Sequence, residues 1–120
     1  MPLIREMRND DYRGLVELWS EFPGNTMTGA DRRAGFAEFL EGNSRYCFTA
    51  LDDGRVVGSV MAGTDRRRGY VYHLAVAPKH QRRGLGIQLM KRVEESLATD
   101  GIEKAHLFIY ADNPAIAFYQ

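Results

Sequence analysis

The chain of 120 residues has one cysteine, Cys47, so no internal disulfide can staple it. A lone thiol is the usage of a reducing compartment, and a cytoplasmic protein is the expectation. No His, Cys and Asp residues fall at metal-ligand spacing, so no metal is expected. Neither sign of charge is in excess, because 16 Lys and Arg stand against 16 Asp and Glu. Without a global positive field, nucleic acid and anionic membrane surfaces are not expected partners, and any anion must be held by a local device. No apolar stretch approaches the roughly 18 to 20 residues that cross a bilayer. The start, Met1-Pro2-Leu3-Ile4-Arg5-Glu6, has no basic segment leading into an apolar run, so no secretory signal is expected. Repeats, low-complexity tracts and composition breaks are missing as well, and the expectation is a single domain over residues 1–120. What is there is a 44% hydrophobic complement, sufficient for one buried core without staples.

Periodicity places the elements. Leu3 to Met7 reads as a short strand. Asp10 can cap a helix whose apolar residues Tyr12, Leu15, Val16, Trp19 and Phe22 recur at three and four, and Pro23-Gly24-Asn25 stops it. A second helix is predicted from about Ala30 to Glu41, closed by Gly42-Asn43. The runs from Tyr46 to Leu51 and from Val56 to Ala62 flank Asp52-Asp53-Gly54-Arg55 and predict a hairpin, with Tyr70 to Val76 as the next strand of a meander. From Leu85 onward, Leu85, Leu89, Met90, Val93 and Leu97 form an apolar stripe that Gly101 terminates. Lys104 to Tyr110 reads as a fifth strand, and Pro114 can open a last helix through Tyr119. The order βααβββαβα is a mixed α/β sheet covered by helices, whose strand-helix-strand crossover makes the last two strands parallel. Ligands in such sheets sit beyond the carboxyl ends of the strands, here near Val76 and Tyr110.

The segment from Leu74 to Ile87 joins a strand end to the amino end of the amphipathic helix and carries Gln81-Arg82-Arg83-Gly84-Leu85-Gly86. The first helical turn leaves backbone N–H groups unpaired, and the helix dipole adds partial positive charge, so an anion can be held there without net basicity. Gly84 and Gly86 permit close approach of a diphosphate, and Arg82 and Arg83 can add charge-assisted bonds. On their own the two glycines could as well shape a turn. No P-loop pattern occurs, and Leu89 stands where a dinucleotide fingerprint requires glycine.

Leu74-Ala75-Val76-Ala77-Pro78 followed by Gln81-Arg82-Arg83-Gly84-Leu85-Gly86 resembles the acyl-CoA-binding motif of the GCN5-related N-acetyltransferase (GNAT) family. Within it the chain is similar to the small bacterial enzymes of the ribosomal-protein-alanine acetyltransferase and YpeA-like kinds. Val56-Val57-Gly58-Ser59-Val60 and the ending from Asn113 to Tyr119 match the family's order of elements. The resemblance implies acetyl-CoA as co-substrate, with transfer by direct attack of an amine, from a small molecule, a protein N-terminus or a lysine, on the thioester. It implies that backbone at Leu74 and Val76 pairs with pantetheine, that a slot beside Leu74 and Ala75 takes the thioester, and that Gln81 and the amides of Arg82, Arg83, Gly84, Leu85, Gly86 and Ile87 serve the pyrophosphate. Asn113 would contact the pantetheine arm and Tyr119 would protonate the departing thiolate. A non-catalytic acyl-CoA-binding module or inactive fragment is the alternative.

Asn113 and Tyr119 are six residues apart where the family has seven, a rotation of roughly 100° on a helix. The chain stops at Gln120, before the family's K-x-G-F turn and final strands, so a truncated domain is expected, with a homodimer covering the open edge of the fifth strand. The family often places a glutamate on its fourth or fifth strand as general base. Tyr70 to Val76 holds none, and His73 is the nearest titratable candidate. At pH 7 a lysine amine of pKa about 10.4 is neutral about once in 2,500 molecules, whereas an α-amine of pKa about 8 loses only about 1.4 kcal/mol, so the latter is the easier acceptor. His80 could face a phosphate but is expected at the surface, Trp19 in the packing of the first helix, and Cys47 as a small buried hydrophobe.

Overall fold

The computed structural model describes residues 2–22 and 32–107. Five strands, β1 (Leu3–Glu6), β2 (Phe48–Asp52), β3 (Arg55–Thr64), β4 (Gly69–Val76) and β5 (Ala105–Leu107), lie in the sheet in chain order. Neighbours are antiparallel from β1 to β4, while β4 and β5 run parallel. Among the described residues three α-helices, α1 (Tyr12–Trp19), α2 (Arg33–Asn43) and α3 (Leu85–Thr99), join the sheet in the mixed α/β architecture that the sequence predicts. A parallel pair cannot be closed by a hairpin, so α3 must carry the chain back across the sheet between β4 and β5. The expected last helix, with Asn113 and Tyr119, falls outside the described residues. So do the far end of the fifth strand and the Pro23-Gly24-Asn25 stop.

Several boundaries differ from expectation, among them the start of β2, which a 3-10 turn over Ser44–Tyr46 delays to Phe48. Strand β1 ends at Glu6 and not Met7, because Met7 turns into the core at 4% exposure. Asp11, not Asp10, anchors the start of α1, through a turn of 3-10 helix over Asn9–Asp11. Its buried carboxylate accepts from Arg8 N at 2.8 Å, from Arg5 Nη1 and Nη2 at 2.9 and 2.8 Å, and from Thr49 Oγ1 at 3.0 Å. Asp10 is exposed. Helix α2 starts three residues late and runs through Gly42 to Asn43, where Asn43 Nδ2 satisfies the Phe39 carbonyl at 3.0 Å. A side-chain donor there does the work of a glycine stop.

The sheet separates two cores. Leu85, Leu89, Met90, Val93 and Leu97 of α3 lie against Phe48, Ala50, Val60, Ala62, Val71 and Leu74. On the other face Trp19, Phe36 and Leu40 of α1 and α2 cover Cys47, Met61 and Ala75. Strand alternation does this sorting, sending Val60 and Ala62 to one side and Met61 to the other. Gly58 brings the amino end of α3 down onto β3, because a Cβ there would stand 3.2 Å from Leu89 Cδ1 and 3.3 Å from Leu85 Cδ2. Among the described residues no helix is long and apolar enough to cross a membrane.

Candidate functional site

Strand β4 is irregular where it matters. Ser59 faces Ala75 and Met61 faces Tyr72, so the single residue Val60 stands opposite two, His73 and Leu74. This is a β-bulge, which bends the strand and re-aims its side chains. His73 takes it up with φ +50°, a left-handed conformation that histidine adopts more readily than most residues. The bulge is clamped from both neighbouring elements. Trp19 Nε1 donates to Ser59 Oγ at 3.0 Å, Ser59 Oγ donates to the His73 carbonyl at 2.7 Å, and the His73 ring stacks on Trp19 at 4.1 Å with 18° between planes. The imidazole is thus held on the α1 side of the sheet. Trp19 does pack α1, as the sequence suggests, but it also positions the bulge.

Beyond the bulge, Ala77 N donates to Val57 O at 2.8 Å, and Gly58 faces Val76. Antiparallel alternation then turns the peptide groups of Val76 away from β3, toward the side where β5 lies. Among the described residues the pairing of β5 with β4 runs from Gly69 to Val71. Gln81 Nε2 already donates to the Val76 carbonyl at 2.9 Å, folding the following loop back over the strand end.

That loop prepares the amino end of α3. Arg82 and Gly84 both have positive φ, +64° and +81°, which alternates the direction of successive peptide planes. Gly84 is the N-cap residue, no side chain caps the helix, and the first intrahelical bond runs from Gln88 N to Gly84 O at 3.0 Å. The amides of Leu85, Gly86 and Ile87 precede that bond and have no partner inside the helix. A Cβ built on Gly84 would meet no atom within 4 Å among the described residues outside its chain neighbours, so open space lies beside the N-cap. Arg82 and Arg83 are exposed beside it and Leu85 is buried, pinning the helix from below. Unpaired amides, two guanidinium groups and open space fit a diphosphate.

The expectation that His80 is a surface side chain is wrong. It is 19% exposed and its Nε2 lies 2.9 Å from Asp52 Oδ2. Pro78 sets a 3-10 turn over Pro78–His80 that swings the ring inward, a geometry no periodicity announces. Cys47 is fully buried, as expected, though it sits just before β2 and not within it. Burial pushes its thiol up to about 12, and Sγ lies 3.6 Å from the Ala62 carbonyl. A neutral, inaccessible thiol is no nucleophile. Native protein is therefore expected to resist a maleimide that labels the unfolded chain completely, as read by intact mass; rapid native labelling would contradict this burial. No group of three or more His, Cys, Asp or Glu residues among those described is placed to hold a metal.

Comparison with known proteins now bears on this site. A family model described as the acetyltransferase (GNAT) family matches residues 4–120. The chain belongs to the GNAT family. Over 117 residues it is 33% identical to an acetyltransferase of Pectobacterium atrosepticum, covering 94% of this chain and 79% of that one. Its fold is similar to that of a PaiA N-acetyltransferase from Thermoplasma acidophilum solved in complex with coenzyme A, with a TM-score of 0.82, 15% identity and coverage of 99% and 86%. It is also similar to the ribosomal-protein-alanine N-acetyltransferase of Escherichia coli, with a TM-score of 0.77, 22% identity and coverage of 99% and 74%. The GNAT chain is thus an N-acetyltransferase that uses acetyl-CoA as its acyl donor.

Of the residues singled out from the sequence, Leu74, Ala75, Val76, Gln81, Arg82, Arg83, Gly84, Leu85, Gly86 and Ile87 come together along one strand end and one helix start. His73 stands one bulge away. Ser59 and Asp52 are the neighbours that sequence reasoning missed, and it named His80 without its Asp52 partner. Only Ser59 carried a signal, a polar residue inside an otherwise apolar strand.

Proposed function

We propose that this chain acetylates a primary amine by direct attack on acetyl-CoA held between the β4 edge and the amino end of α3. The observation that carries the reading is the uncapped start of α3, with Gly84 in a left-handed conformation and open space before it. The Arg82 to Ile87 amides and the two arginines would hold the diphosphate, and Leu74 and Val76 would align pantetheine as an added strand. Bound acetyl-CoA supplies the activated acyl carbonyl and the leaving thiol. His73, fixed over Trp19, would accept the amine proton as general base, and Tyr119 would return a proton to the thiolate while Asn113 steadies the pantetheine arm.

The acceptor would approach from the α1 and α2 side. There Tyr72 is 39% exposed and meets Phe39 edge-on, with centroids 6.1 Å apart. An α-amine, small-molecule or peptide, suits the site best, because a histidine base removes its proton at far lower cost than that of lysine. We place the enzyme in the cytoplasm, acting through one domain, with neither nucleic acid nor membrane as partner.

The test is thiol release from acetyl-CoA against a panel of amines and peptide N-termini, with the oligomeric state measured in the same preparation. Turnover is expected with at least one α-amine. Tight coenzyme A binding without turnover on any acceptor would leave an acyl-CoA-binding module instead. A stable dimer would support a second copy covering the outer edge of β5.

A further inference from the structure

One contact near the diphosphate loop is not used by that chemistry. His80 Nε2 reaches 2.9 Å across to Asp52 Oδ2 at the end of β2, 28 residues earlier in the chain. The His80 hydrogen bond, with a smaller contribution from the charge of Arg83, holds the Asp52 carboxyl below its usual range. An ionised carboxylate only accepts, so Nε2 carries the hydrogen. The other ring nitrogen, Nδ1, is buried with no hydrogen-bond partner among the described residues, which leaves Asp52 to orient the ring. The backbone closes the same frame: His80 N donates to Ala77 O and Ala77 N to Val57 O, both at 2.8 Å. Two residues further on stands Arg82 at φ +64°, a conformation an arginine keeps only when its surroundings impose it.

We propose that His80 and Asp52 form a positioning brace, which ties the diphosphate loop to the β2–β3 turn and presets the Arg82 to Ile87 amides before coenzyme A arrives. This rests on the assignment of that loop to the diphosphate. The brace makes a prediction whose sign is unusual. Asp52 is a negative charge close to Arg83, so simple electrostatics says that removing it favours a polyanionic ligand. A brace says the opposite, because a loosened loop must be ordered at the expense of binding.

The experiment compares Asp52→Ala, Asp52→Asn, His80→Phe and the Asp52→Ala/His80→Phe double variant. It measures coenzyme A binding by calorimetry, and KM and kcat with acetyl-CoA and with S-acetylpantetheine, which lacks the diphosphate. Asp52→Ala and His80→Phe are each expected to weaken coenzyme A about three- to tenfold, and the double variant no further than either single. KM for acetyl-CoA rises in step while kcat at saturation and KM for S-acetylpantetheine hold. Asp52→Asn, which still offers Nε2–H an acceptor, stays within about twofold of the parent. The brace is overturned if both Asp52 variants bind coenzyme A more tightly, if the single effects multiply in the double variant, or if S-acetylpantetheine suffers equally. Should the parent bind coenzyme A no better than pantetheine, the diphosphate loop itself is misassigned, and the brace falls with it.

Discussion

Replacing Gly84 by valine is expected to weaken coenzyme A binding about 30- to 150-fold, equivalent to about 2 to 3 kcal/mol. Gly84 sits at φ +81°, where a β-branched side chain collides with its own backbone, so the residue must leave that conformation or bear the strain. Leaving it rotates the peptide planes ahead of α3 and takes the amides off target. Staying puts two methyl groups into the open space beside the N-cap. Gly84→Ala separates the two, since it carries most of the backbone strain with little of the bulk, and its loss should be smaller. Calorimetry with coenzyme A gives the ratio, and urea unfolding of the same variants shows whether the fold has kept its stability. A dissociation constant unchanged by valine would remove this loop from coenzyme A recognition.

Asp11→Ala is expected to cost about 3 to 5 kcal/mol of folding stability, the range for removing one partner of a buried ion pair. The carboxylate is 7% exposed and serves Arg5, Arg8 and Thr49 at once, so its loss strands a part-buried guanidinium, a backbone N–H and a fully buried hydroxyl. Burial alone would raise its pKa, but the bonds from Arg5, Arg8 and Thr49 and the charge of Arg5 outweigh it, and the folded-state value lies below the ordinary one. A depressed carboxylate contributes stability that is fully present above its unfolded pKa of about 4 and is lost as pH falls through the folded value. The parent should therefore destabilise on acidification below about pH 4, and Asp11→Ala should show a shallower decline there. Urea midpoints at neutral and acid pH check both statements; a variant within 1 kcal/mol of the parent at neutral pH would contradict them.

The fold was readable because its signals are redundant. The stripe from Leu85 to Leu97 is long enough to exclude a strand, and the meander is punctuated by Asp53-Gly54 and by the turn before Gly69. The turn into α3 was readable for the same reason, since glycines, arginines and a helix start coincide within a few residues. What stayed hidden depends on pairing across the sheet. Nothing local in Tyr70 to Val76 says that β4 bulges at His73, because that follows from the register against Ser59 and Met61. Nor does Pro78-Lys79-His80 reveal which way the ring turns until Asp52 is seen on the neighbouring hairpin. The helix start at Asp11 instead of Asp10 was decided by Arg5 and Thr49, one on β1 and the other 38 residues away on β2.

The division of the interior into two cores has a consequence for how such an enzyme can diversify. The packing of α3 on one face of the sheet and of α1 and α2 on the other forms two largely separate clusters, with Ala77 touching both. If the proposed acceptor face is right, drift in Phe39 or Tyr72 would change the amine while the proposed diphosphate loop is inherited intact, and the kink at His73 is a feature both sides must respect.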